Sequence, residues 1–119
     1  MVIDKVLDCF LFIEDEKWYK HYKKGAVYAW EKIKEMIGRN KGKEVSDNFM
    51  VVIDIFFKEV MRDLAEAKQL LYKMKKARTT ENFVSRYMLE GRMSLDQIEK
   101  EISFIEEMEK SCRGEVEKI

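Results

Sequence analysis

Proline is missing from this sequence altogether, and with it the commonest interruption of a helix. Only two cysteines occur, Cys9 and Cys112, with no CxxC spacing, so neither a disulfide framework nor a cysteine metal site is indicated. Two reduced, buried thiols are expected, and a bridge stays open if the first and last helices pack together. Long apolar runs are lacking too. Phe10 to Ile13 and Phe49 to Ile53 fall far short of the roughly 20 residues a bilayer requires. Asp4 and Asp8 stand where a signal peptide would carry Lys or Arg, which points to a soluble, cytoplasmic protein with no membrane partner.

The single histidine, His21, excludes most catalytic and metal chemistry by count alone. It lies in W-Y-K-H-Y-K-K, where no acid three or four residues away orients it and Lys17 and Lys24 border its helical face. The ExxH pairs of a di-iron helical bundle are absent, and no Arg precedes His21 as an Arg-x4-6-His nuclease motif requires. G-R-N-K-G lacks the Lys-Ser/Thr that completes a phosphate-binding loop. Acid pairs such as Glu14 with Glu16 and Glu106 with Glu107 read as solvated helix faces. The sequence therefore predicts a non-enzymatic protein with no catalytic residue, metal, cofactor or small-molecule substrate.

What is present is helix-forming material. Of 119 residues, 39% are charged and 46% apolar, the mixture amphipathic helices need. The organising stretch runs from Ser46 to Ala77. Phe49, Val52, Ile53, Phe56, Phe57, Val60, Met61, Leu64, Leu71 and Met74 recur at three- and four-residue steps. Ser46 or Asp47 can cap its start, and Lys73, Lys75, Lys76 and Arg78 suit the negative end of the helix dipole. A first helix is expected from Ile3 to Glu14, with Ile3, Val6, Leu7, Phe10 and Ile13 inward and Leu11 and Phe12 widening the stripe. Such girth suggests a central position in the bundle or a subunit interface.

A second helix is expected from Lys17 to Ile37, facing inward through Trp18, Tyr22, Ala26, Ala29 and Ile33, with Tyr19 and Trp30 at the margins. Gly25 marks a kink or a close helix contact, and Gly38 the C-terminal cap. Gly38 to Glu44 forms a basic loop. Thr79 or Thr80 can cap a short helix from Glu81 to Glu90 with Phe83, Val84, Tyr87 and Met88 inward, ended by Gly91. Ser94 and Gln97 stand at capping-box spacing, flanked by the Met93 and Ile98 of a hydrophobic staple. Leu95, Ile98, Ile102, Ile105, Met108 and Cys112 then continue a narrow stripe. The expectation is one all-α domain over residues 1–119, a bundle of about five helices on one long central helix.

Two functional readings remain. Net charge is zero, yet residues 17–43 hold nine cations against two acids, and the blocks on either side are acidic. The cations Lys17, Lys20, Lys23, Lys24, Lys32, Arg39, Lys41 and Lys43, with Tyr28 as the exposed ring, could bind nucleic acid or another polyanion, since a single strand needs charge along its backbone and flat surfaces for its bases. Lys73, Lys75, Lys76 and Arg78 could reinforce them. The alternative is a protein-interaction or assembly subunit, a homo-oligomer or a small accessory part of a larger complex, because the chain carries more apolar stripe than one small domain buries. Two local patterns count for little. T-T-E-N-F-V-S-R-Y-M-L-E-G-R-M places Arg86, Glu90, Arg92 and Tyr87 where a helix-turn-helix needs small or apolar residues. Met50 to Phe57 is similar in its Ile and Phe-Phe spacing to the peptide that docks on sliding-clamp proteins, but has Met50 where Gln is usual, and the helix stripe already accounts for every residue of it.

Overall fold

The computed structural model describes residues 2–119, with side chains from Lys5 onward. It is all-helical, with α1 (Val2–Arg39), α2 (Asp47–Thr79), α3 (Phe83–Met88) and α4 (Leu95–Glu117). Four helices replace the expected five because the two N-terminal segments are one helix of 38 residues. Glu14, Asp15, Glu16 and Lys17 contain no breaker, and continuing the backbone ladder satisfies groups that two new helix ends would leave bare. Gly38 is likewise inside α1 and not its cap. Asn40 closes the helix, its side-chain amide donating to the Met36 carbonyl at 2.9 Å, and the left-handed residue of the loop is Gly42, with φ of 80°.

α2 returns antiparallel to α1, and α4 runs antiparallel to α2. Lys75, Tyr72 and Lys68 meet Glu99, Glu106 and Glu109 in descending against ascending order. The result is a rod of 62 × 20 × 18 Å. Its core joins Tyr19, Ala26, Ala29 and Ile33 of α1 to Ile53, Val60, Leu64, Leu71 and Met74 of α2 and to Ile98, Ile102, Ile105 and Cys112 of α4. The stripes of α2 and α4 therefore face inward largely as their spacing dictates, with Val52 left outside. Ile53 of the clamp-like octapeptide is buried, with Phe56 and Phe57 packed against the core.

α1 departs from its expected face. Tyr19 and Trp30 are buried and Trp18 is half-exposed, the reverse of the expected order. Tyr19 and Trp30 point to α4, which arrives from some 80 residues away in sequence, as the Tyr19 to Glu101 hydrogen bond shows. Near its N-terminus α1 buries Cys9 and Phe12, while Leu7, Phe10 and Leu11 are exposed, so this segment is not central. α4 begins only beside Glu16 and leaves the preceding turns with α2 and α3 alone. Ile3 lies outside the described side chains. In α3, Phe83 and Tyr87 also point outward, and Ser85 and the following Leu89 are buried instead. Asn82 caps α3 in a box with Ser85, whereas Thr79 and Thr80 turn their hydroxyls back to the Lys76 carbonyl.

The two ends of the rod keep the cysteines apart. Cys112 neighbours Ser111, which lines the same groove as Trp30, and Trp30 lies 21 residues along α1 from Cys9, about 32 Å at the helical rise. Both thiols are free and buried, and burial pushes Cys112 up to about 11.

One side chain fixes the turn that launches α4. The Arg78 guanidinium sits over the Phe12 ring at 5.2 Å and donates to the carbonyls of Met93 (2.8 Å), Leu89 (2.9 Å) and Arg92 (3.2 Å), and to Glu81 at 3.1 Å. Glu16, itself buried, accepts the Met93 N–H at 3.2 Å from the α1 side. Ser94 and Gln97 then form the expected capping box. Replacing Arg78 by Ala leaves three carbonyls and Glu81 without their shared donor. The variant is expected to lose about 3 kcal/mol of unfolding free energy in urea titration. An unchanged midpoint would show that the turn is held by other means.

Candidate functional site

The nine residues expected to bind a polyanion do not form one surface. α1 turns Lys17, Lys20, Lys24 and Tyr28 outward along about 16 Å of its length, and Tyr28 is 62% exposed. Lys23 points the other way, into an ion pair with Glu101 at 2.6 Å. Lys20 pairs with Glu16 at 3.4 Å, Arg39 with Glu35 at 2.5 Å, and Lys32 with Glu35 at 3.8 Å while lying 5.4 Å from the Tyr28 ring. Glu31 and Glu35 thus interrupt the basic track between Lys24 and the loop cations Lys41 and Lys43. Among the described residues, Lys17, Lys24, Lys41 and Lys43 make no ion pair. The second basic group does not join them, since Arg78 is spent inside the α3–α4 turn, Lys75 faces Glu99, and Lys73 and Lys76 lie beside Asp8 and Asp15.

Lys23, Glu101 and Tyr19 form a polar knot between α1 and α4. Burial pushes the Glu101 carboxyl up, but hydrogen bonds donated by Lys23 and Tyr19 outweigh it and hold the group below the ordinary glutamate range. The Tyr19 hydroxyl is held well above its ordinary value by burial and by the Glu101 acceptor. A buried phenol thus finds its partner in a carboxylate from another helix, which no local pattern could have announced.

A different surface emerges along the groove between α1 and α2 on the side away from α4. On α1, Leu7, Leu11, Trp18, His21 and Gly25 follow one another at steps of three, four and seven residues, so they share a face. Leu11 is 61% and Trp18 46% exposed. Trp18, His21 and Tyr22 form an edge-on aromatic cluster, His21 standing 5.5 Å from Trp18 and 5.4 Å from Tyr22. On α2 the matching face carries Val52, Ile55, Glu59, Asp63, Glu66 and Leu70. Gly25 is where the two helices close. A Cβ there would stand 2.7 Å from a carboxylate oxygen of Asp63, so glycine is what admits this approach. Asp63 is buried at that contact, its carboxyl raised by burial and by Glu59 against the opposing pull of Arg62 and His21. The sequence signal for this face was the surplus of apolar residues on α1, which its inward stripe does not use. The described residues hold no group of three His, Cys, Asp or Glu side chains able to take a metal.

Glu101 and Asp63 are expected to respond to acid with opposite signs. Glu101, with its folded pKa lowered, contributes stability above its unfolded value near 4.3, lost as pH falls through the folded value. Glu101→Gln should therefore cost about 1 kcal/mol at pH 7 and progressively less toward pH 3. Asp63, with its folded pKa raised, weakens the fold when charged, so Asp63→Asn should stabilise at pH 7 and lose that advantage as acid protonates the wild-type carboxyl. Thermal unfolding across pH 3 to 8 checks both, and a common sign for the two would refute the assignment. Comparison with known proteins gives no match, since no family model, no curated protein and no solved structure is significantly similar to this chain.

Proposed function

We propose that this protein is a non-enzymatic assembly subunit that pairs with a second copy of itself through the α1/α2 face lying away from α4. The observation that supports this most is the alignment of exposed Leu7, Leu11, Trp18, Val52 and Ile55 along one side of a 62 Å rod. Stable interfaces need roughly 800 Å² from each partner, and a face of 62 × 20 Å outline exceeds that.

Charge selects the second copy as the occupant. Gly25 lies level with Asp63, so a twofold axis parallel to the rod sets α1 of one copy against α2 of the other in the same antiparallel register. Lys24 of one copy then comes level with Asp63 of the other, Lys17 with Leu70, and Glu14 with Lys73. Acid meets base at the Lys24 and Glu14 levels, and the arrangement is reciprocal, as a closed dimer requires.

Sedimentation velocity should show a species of twice the 14.3 kDa chain mass that dissociates on dilution. Glu14→Lys should weaken it about tenfold, and Lys73→Glu added to the same chain should restore it, because both crossed pairs reform with exchanged signs. A monomer at every concentration, or no rescue by the second change, would overturn the reading.

A polyanion-binding role remains as the second reading, favoured by the four cations without ion pairs and by exposed Tyr28. Four phosphate contacts to a single strand predict a log-log salt slope of about −3. Fluorescence anisotropy with a labelled oligonucleotide measures it, and binding indifferent to salt, or none, would dismiss this role.

A further inference from the structure

At the end of the rod where α1 gives way to α2, the bundle is open. α1 runs to Arg39, α2 begins at Asp47 and α4 runs to Glu117, and residues of all three and of the loop between the first two line an opening. A cleft of about 670 Å³ results, of the size that small-molecule sites occupy. Trp30, Ile37, Val45, Phe49 and Ile119 make its apolar walls. Three ammonium groups border it. Lys34 lies 5.4 Å from the Trp30 ring and pairs with Glu31 at 2.9 Å, and Lys118 pairs with Glu115 at 3.4 Å. Lys41, on the loop, makes no ion pair among the described residues, and Glu115 is the one acid on the lining.

We propose that this cleft binds a single-chain aliphatic carboxylate, the chain lying against Trp30, Ile37, Val45 and Phe49 and the head group taken by Lys41. The apolar walls gain by removing a hydrocarbon chain from water, and they offer little to a wholly polar anion. The head group selects the charge. Lys34 and Lys118 are held by Glu31 and Glu115, so Lys41 is the cation left to select an anion, and a cation of the same chain length would find no partner there. The cleft opens toward α4, through Ser111, Glu115 and Lys118, whereas the pairing face lies on the side away from α4.

The test is titration of decanoate, below its micelle concentration, into the full chain labelled with ¹⁵N. The Trp30 and Trp18 indole N–H signals report the cleft and the α1/α2 face separately. Saturable movement of Trp30 with Trp18 still is expected. Lys41→Glu, in an exposed loop outside the core, should weaken binding about tenfold through loss of one charge-assisted contact. Ser111→Phe, which fills the cleft from an exposed position on α4, should abolish it. Decyltrimethylammonium should not saturate. Absence of saturation with decanoate, equal binding of the two head groups, or movement of Trp18 in step with Trp30 would each overturn the proposal.

Discussion

The register of the bundle rests on a single, largely enclosed cation. Arg78 closes α2, lies on the Phe12 ring of α1, and gathers the carbonyls of Leu89, Arg92 and Met93. Those carbonyls belong to a turn with few apolar residues, and water would solvate them in many conformations. A fixed fork of donors selects one, since a guanidinium can bind several acceptors in its own plane. Glu16 then takes the Met93 N–H, and α4 is delivered with Ile98, Ile102 and Ile105 toward the core. Lys5 adds a further tie, donating to the Thr80 carbonyl at 2.7 Å. Hydrophobic burial supplies the driving force of the fold, but the polar contacts around Arg78 decide where the third helix starts.

Where α4 starts and stops decides what the surface looks like. Helices of 38, 33 and 23 residues measure about 57, 50 and 35 Å, so the third cannot cover the other two. At one end Leu7, Phe10 and Leu11 are left exposed. At the other, Trp30, Ile37 and Phe49 line an open cleft. Along the whole length a pair of helices has two sides and α4 occupies one. The candidate surfaces of this protein are consequences of this mismatch in length.

Charge is used in two ways. Glu101 is held ionised by the donors around it, whereas Asp63 is held beside Gly25 with fewer favourable partners than its burial demands. A buried carboxylate under-compensated in this way weakens the isolated rod. It sits in the middle of the face we assign to pairing, where a second copy would bring Lys24 near.

Several features were legible in the residues alone, namely the helical class, the inward stripes of α2 and α4, the Ser46 cap, the Ser94 and Gln97 capping box, the close contact at Gly25 and the exposure of Tyr28. These are local matters, settled by backbone hydrogen bonding and by periodicity within one helix. Tertiary structure decided that α1 is continuous, that Tyr19 and not Trp18 is buried, that Phe83 and Tyr87 face outward, that Lys23 belongs to Glu101 and Arg78 to the interior. Apart from the continuity of α1, which the lack of a breaker allows locally, each of these depends on a partner far away in sequence. The inward face of a long helix is set by what packs on it, and α1 has different neighbours at its two ends. A single stripe cannot encode both, so the pattern of apolar residues on α1 becomes readable only once α3 and α4 are in place.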